Sequence, residues 1–319
     1  MLTSKEYSDY INGAIKSLNL PGGKLAGLYS PISYALATGG KRLRPMLTLM
    51  TCEAFGHPVE EALPMALGIE IFHNFTLLHD DVMDNSDIRR GRPSVMAKYG
   101  VNTAILSGDT MLSLATGLML KAPAATMPAV MECFNSTAIE VYEGQQLDID
   151  FENRNDVSLS EYLEMIRLKT SVLLGCAAKI GAIIAGASDN DADLLYRYAE
   201  CLGLAFQIQD DMLDVYGNPE FGKPIGGDIL NDKKTFLMLS AMSSPKAAEM
   251  RAAMAQSDKS SKIKAVTEVY DALNMRQLCS EAVERYSLEA ISAIEKANIP
   301  EENKVCFRKL AYSLSERQV

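Results

Sequence analysis

Apolar residues recur at three- and four-residue spacing along almost the whole chain, and period-two alternation is nearly absent. The first pattern belongs to helices that bury one stripe, the second to strands. Ten or more helices and negligible sheet are therefore predicted. Boundary signals divide the pattern. Ser158 followed by Glu161 forms a capping box ahead of an apolar run. Pro128 suits the first turn of a helix running towards Phe151. Ser188 or Asp189 can cap the helix that carries Leu194, Leu195, Tyr198, Cys201, Leu202, Ala205 and Phe206, which ends near Gly217. The stretches Ala104–Leu120 and Ser171–Ala187 are apolar on more than one face, as helices inside a large bundle or at a subunit interface are. No Gly/Ser-rich linker or low-complexity segment interrupts the chain, so residues 1–319 are expected to form a single all-α domain. The C-terminal third is more polar and carries no readable motif.

Composition narrows the function. The 319 residues are 48% hydrophobic and 23% charged, enough for one large core or two modest ones. A net charge of −10 argues against a nucleic-acid partner and against binding to anionic membranes by charge alone. The most apolar stretch, Thr170 to Ala187, carries Lys179 near its middle. A membrane span needs about 20 uninterrupted apolar residues, so a buried helix is expected and no membrane span. The six cysteines are scattered without close pairs, which predicts buried free thiols in a reducing compartment. The N-terminal MLTSKEYSDY has no apolar signal core, so a cytoplasmic location is expected.

Two acidic clusters carry the strongest chemical signal. Asp80-Asp81-Val82-Met83-Asp84 follows the apolar run Ile69–Leu78, and Asp210-Asp211-Met212-Leu213-Asp214 follows Leu202–Ile208. On a helix, Asp80 and Asp84 share a face, as do Asp210 and Asp214. One such cluster could be a solvated helix end; two DDxxD copies, each closing an apolar helix, call for a common cause. Hard oxygen donors without His or Cys suit Mg²⁺, which keeps water and phosphate ligands.

The cations agree with phosphate. Gly39-Gly40-Lys41-Arg42-Leu43-Arg44-Pro45 and Arg89-Arg90-Gly91-Arg92-Pro93 are tight basic motifs in an acidic chain. Arginine forks match phosphate oxygens in pairs, and lysine adds point charge. Phe221-Gly222-Lys223 and Asn231-Asp232-Lys233-Lys234-Thr235 lie just beyond the second acidic cluster, without the spacing of a nucleotide-binding phosphate loop. His73 precedes Asp80 by seven residues, about two turns along nearly the same face, which favours substrate binding over a core role. His79 adjoins the cluster as a supporting hydrogen bonder, and His57 reads as loop.

The ordered series GGKRLRP, HDDVMD, RRGRP, Lys169-Thr170, FQIQDDMLD and FGKPIGGDILNDKK resembles that of the trans-isoprenyl diphosphate synthases, the polyprenyl synthetase family, from Gly39 to about Thr235. The resemblance implies a helical bundle around a central substrate cavity. It implies a homodimer and Mg²⁺, three ions per active site. The implied reaction condenses isopentenyl diphosphate with an allylic diphosphate. By the same resemblance, Lys41, Arg44, His73 and Arg90 hold isopentenyl diphosphate. Asp80, Asp84 and Asp210 coordinate the metal, and Asp81, Asp211 and Asp214 support them there. Arg89, Lys169, Lys223 and Lys233 neutralise the allylic diphosphate, while Thr170 and Gln207 stabilise the developing cation. Gln145 and Asp148 stand where the family often has a lining Gln and Asp. Lys234 sits one residue beyond the family's lysine.

Product length is expected to depend on Phe72, Phe75 and Thr76, which precede the first cluster on its own helix. A single aromatic at the fifth position before Asp80 resembles archaeal-type geranylgeranyl synthases, and Phe72 keeps a farnesyl product open. Two other functions share features of this chain. A terpene cyclase has one DDxxD but needs no isopentenyl grip, and a non-catalytic regulatory subunit of a prenyl synthase usually loses one acidic cluster.

Overall fold

The computed structural model describes residues 1–217 and 225–315. Helix dominates, as the spacing predicts, with well over ten helices. The chain runs through α1 (Ser4–Lys16), α2 (Ala26–Leu36), α3 (Leu43–Ala54), α4 (Val59–Met83), β1 (Ile88–Arg89), β2 (Arg92–Pro93), α5 (Val95–Tyr99) and α6 (Val101–Met119). It continues through α7 (Met127–Glu152), α8 (Leu159–Ile166), a π-helical turn (Arg167–Ser171), α9 (Val172–Ile184) and α10 (Asp189–Tyr216). The rest is α11 (Gly227–Leu230), α12 (Phe236–Met242), α13 (Ala247–Met254), α14 (Lys259–Ala272), α15 (Met275–Lys296) and α16 (Glu301–Ser315). The sheet is one antiparallel pair of two-residue strands, with Ile88 opposite Pro93 and Arg89 opposite Arg92. No helix among the described residues is long and apolar enough to cross a membrane.

The local signals operate as expected. Ser158 and Glu161 close the capping box of α8. Ser188, rather than Asp189, caps α10, its hydroxyl accepting from the Asp191 amide at 3.1 Å. Pro128 lies in the first turn of α7. All six cysteines are free; Cys133 and Cys306 are half-buried and the other four buried.

Backbone contacts group the chain into two compact units. Of the described residues, the first holds 1–135, 176–195 and 298–300, the second 136–175, 196–217, 225–297 and 301–315. In the first, α4 packs on α3 and α6. Leu47, Leu49, Met65, Ile69 and Phe72 are fully buried there. Helix α6 comes close because Gly68 has no side chain: a Cβ there would lie 3.1 Å from the Ala115 carbonyl. Helix α4 stops where Asn85 turns left-handed (φ 50°), a geometry asparagine tolerates.

The core of the second unit gathers Tyr162, Ile208, Leu237, Val266 and Met275 from α8, α10, α12, α14 and α15. The π-helical turn is pressed from two sides by glycine-bearing helices. A Cβ at Gly144 of α7 would lie 2.7 Å from the Lys169 Cα, and one at Gly203 of α10 would lie 2.6 Å from the Ser171 Cα. Such turns interrupt the i→i−4 ladder and are frequent at functional sites.

Candidate active site

In the first unit the two basic motifs meet α4. The chain reverses before α3 through Gly39, Gly40 and a left-handed Arg42 (φ 51°). Arg42 is only 4% exposed and is committed to the fold. Its Nε donates to Asn12 Oδ1 at 3.1 Å and its Nη2 to the Leu36 carbonyl at 2.6 Å. Its Nη1 pairs with Glu70 of α4, itself 3% exposed. Lys41, by contrast, is exposed, and Arg44 points the other way, with Nη1 at 3.4 Å from His73 Nε2. Arg90, at the turn of the β1–β2 hairpin, donates to the Gly39 carbonyl and lies against Gly40. Arg44, His73 and Arg90 are thus brought together.

The electrostatics of this cluster are unbalanced. Burial holds Arg44 down at about 10, Glu70 opposing and Arg90 adding to the effect. Burial, and then Arg44, Arg90, Arg89 and Arg42, hold His73 well below its ordinary value, so the imidazole is neutral. Cations crowded around a neutral acceptor, with their nearby carboxylate already paired to Arg42, make a cluster that an anion would relieve.

The first acidic cluster ends α4. Asp80 is half-buried and Asp84 exposed, the Asp84 amide donating to the Asp80 carbonyl at 2.8 Å. Asp81 turns inward: Arg89 Nε and Nη2 donate to its Oδ1 at 2.8 and 2.6 Å. Burial raises the Asp81 carboxyl against the pull of Arg89. Below the cluster, the Phe72 and Phe75 ring centroids are 5.5 Å apart. Phe134 of α7, which sequence spacing does not single out, meets Phe72 edge-on at 5.2 Å. The half-buried Thr76 donates its hydroxyl to the His73 carbonyl at 2.9 Å. His79 turns to α6, its Nε2 at 3.2 Å from the Ile105 carbonyl. His57 lies between α3 and α4, as a loop residue should.

The second unit carries the other cluster near the end of α10. Asp210 and Asp214 are half-buried. Asp211 is buried; its Oδ2 accepts from the Tyr162 hydroxyl and, at 2.8 Å, from the Phe236 amide that starts α12. Gln207 Nε2 donates to Asp211 Oδ1 at 3.4 Å. Burial pushes the Asp211 carboxyl up to about 7 despite these donors. Asp214 Oδ2 accepts from the Asp228 amide at 3.0 Å, at the start of α11. Lys169 and Thr170 lie on the π-helical turn, and Lys169 Nζ reaches Asp148 Oδ2 at 2.5 Å. Gln145 is buried on the same helix as Asp148. Lys233 lines a small cavity with Asp211, Asp228 and Thr235. Lys234 instead donates to the carbonyl of Glu152, the last residue of α7, at 3.0 Å. Lys223 lies outside the described residues.

In both clusters, therefore, the middle aspartate serves the fold while the outer two stay more accessible. Among the described residues no three His, Cys, Asp or Glu groups converge as a metal cage. Carboxylates one helical turn apart are hard oxygen donors of the kind that suit Mg²⁺, which takes few protein ligands and keeps water and phosphate oxygens. Asp80 with Asp84, and Asp210 with Asp214, are the residues that would hold it.

A helical chain with two such aspartate clusters and a cluster of arginines around His73 has the parts of a class of diphosphate-handling enzymes. The chain belongs to the polyprenyl synthetase family, whose model matches residues 26–273. It is 43% identical over 240 residues to a geranylgeranyl diphosphate synthase of Methanosarcina mazei, covering 74% of each chain. A solved geranylgeranyl pyrophosphate synthase matches with a TM-score of 0.95 and 42% identity over 100% of both chains. A geranylgeranyl pyrophosphate synthase from Corynebacterium glutamicum, solved with isoprenyl diphosphate and magnesium, matches with a TM-score of 0.87 and 26% identity over 99% of this chain and 100% of that one.

Proposed function

We propose that this chain is a short-chain trans-prenyl diphosphate synthase. It joins isopentenyl diphosphate head to tail (1′–4) to an allylic diphosphate and releases pyrophosphate, with geranylgeranyl (C20) or farnesyl (C15) diphosphate as product. The observation that carries this reading is the cluster of Arg44, neutral His73 and Arg90, with His73 two turns before Asp80 on α4. The names of the relatives at 42–43% identity support the geranylgeranyl product.

Lys41, Arg44, His73 and Arg90 hold isopentenyl diphosphate by direct contact. Asp80 with Asp84, and Asp210 with Asp214, would hold Mg²⁺, three ions in all, for the allylic diphosphate, and Asp81 and Asp211 keep their neighbouring carboxylates in place. When bound, Mg²⁺ supplies positive charge that lowers the barrier to carbon–oxygen cleavage. Arg89, Lys169, Lys223 and Lys233 take up further charge on the departing diphosphate. Thr170 and Gln207 face the allylic cation with oxygen dipoles. The double bond of isopentenyl diphosphate attacks that cation, and a proton then passes to the released pyrophosphate. Apolar walls exclude water, which would otherwise trap the cation as an alcohol. Phe72, Phe75 and Thr76 set the depth available to the growing chain.

The same proposal includes a cytoplasmic homodimer acting as a single synthase domain. The free state of all six cysteines is in keeping with a reducing compartment. On α6 and at its end, Ile105, Leu106 and Leu120 are 41%, 59% and 52% exposed, apolar surface of the kind a partner covers.

The test is chromatographic sizing of products from isopentenyl diphosphate with C5, C10 and C15 primers and Mg²⁺. Prenyl diphosphates of C15 or C20 are expected. Cyclic hydrocarbon from geranyl diphosphate alone would make the protein a terpene cyclase. Inactivity relieved only by a second synthase subunit would make it a regulatory chain.

A further inference from the structure

The described residues just ahead of α12, 225–235, are held by backbone hydrogen bonds. The Gly226 amide donates to the Asp214 carbonyl at 2.7 Å, and the Lys233 amide to the Asp228 carbonyl at 3.0 Å. Between them Asp232 adopts a left-handed backbone (φ 53°), a conformation that aspartate tolerates better than most residues with a side chain. Its carboxylate is met at 2.6 Å by the Nζ of Lys262, on α14. Lys262 is only 8% exposed, which is rare for lysine, and its amine reaches out to Asp232. One residue further on, Lys233 lines the cavity it shares with Asp211 and Asp228.

We propose that Lys262 is a positioning residue for the prenyl transfer: through Asp232 it holds the left-handed turn and so aims Lys233 at the allylic diphosphate. This rests on the functional reading above. A flexible lysine offers little charge stabilisation unless its backbone is fixed, because misplacement by about 1 Å costs up to about a hundredfold in rate. The ion pair sits at a rim, where the Asp232 side chain is 63% exposed, so its role is geometric more than stabilising.

The experiment measures KM for isopentenyl diphosphate and for geranyl diphosphate separately at saturating Mg²⁺. Lys262→Met and Asp232→Asn should each raise KM for geranyl diphosphate by about tenfold and leave that for isopentenyl diphosphate within about twofold. Asparagine tolerates the left-handed turn, so Asp232→Asn removes the charge without adding strain. Lys262→Arg should recover most of the loss, and the double variant should be no worse than either single one. Equal shifts in both KM values, unchanged kinetics, or multiplying effects in the double variant would overturn the proposal. Should Lys262→Met fail to fold, Asp232→Asn decides alone, because its side chain is exposed. A wild-type protein without prenyl transfer would defeat the functional reading as well; an active wild type with unaltered variants would defeat this inference only.

Discussion

Replacing Phe75 with alanine should lengthen the product by one isoprene unit. Phe75 and Phe72 precede Asp80 by five and eight residues, so at a rise of 1.5 Å per residue they lie about 7 and 12 Å down the helix. With the Phe75 ring gone, the next aromatic obstacle lies about 5 Å deeper. The four chain bonds of an isoprene unit, each about 1.5 Å long but zigzagging, advance by about the same 5 Å. Phe72 is fully buried and braced by Phe134, so it should hold its place and stop the extension there. The expected shift is from C20 to C25, or from C15 to C20, with no ladder of longer products. Adding Phe72→Ala should release further growth. The substitution also opens a cavity beside Phe72 and His79, whose rings lie 5.5 and 4.7 Å from that of Phe75. That cavity should cost about 3–5 kcal/mol of stability. Lost stability lowers the amount of active enzyme but does not change chain length, so the readout is the size distribution at a temperature where the variant stays folded. An unchanged C15/C20 distribution would refute the reasoning.

Asp80→Ala should lower turnover by about a thousandfold at saturating Mg²⁺; near-normal turnover would remove this cluster from the metal site. Glu70→Ala leaves Arg42 buried without its carboxylate partner and should cost about 3–5 kcal/mol in urea unfolding, whereas a loss below about 1 kcal/mol would show that the pair is dispensable. His73 is held well below its ordinary value when folded, so on acidification the unfolded chain takes up a proton that the folded one refuses. Its contribution therefore makes stability fall as pH drops below about 6.5, by up to about 1.4 kcal/mol per pH unit. His73→Gln should flatten that fall between about pH 6.5 and 5, and parallel stability–pH curves for variant and wild type would contradict it.

Much of the fold is legible one helix at a time. The Ser158–Glu161 box and the Ser188 cap sit at helix ends because a side chain three residues away satisfies an otherwise orphaned amide, and Pro128 suits the start of α7 because it has no amide to orphan. The facing of Asp80 towards Asp84, and of Asp210 towards Asp214, follows from helical periodicity alone. The π-helical turn at Lys169 and Thr170 has no such local signature. It depends on Gly144 and Gly203, 25 and 33 residues away from Lys169 and Thr170, letting two helices press on it.

Sharper still is the division of labour between neighbours of the same type. Arg42 and Arg44, Asp80 and Asp81, Asp210 and Asp211, and Lys233 and Lys234 are pairs that composition and spacing treat alike. Packing separates them. Arg42 turns to Glu70, Asp81 to Arg89, Asp211 to Tyr162 and the Phe236 amide, and Lys234 to the end of α7. Capping and periodicity act over one or two turns, so they are written in the order of residues. Burial and ion pairing depend on partners brought in by other helices, often many residues away, and those partners exist only once the chain has folded.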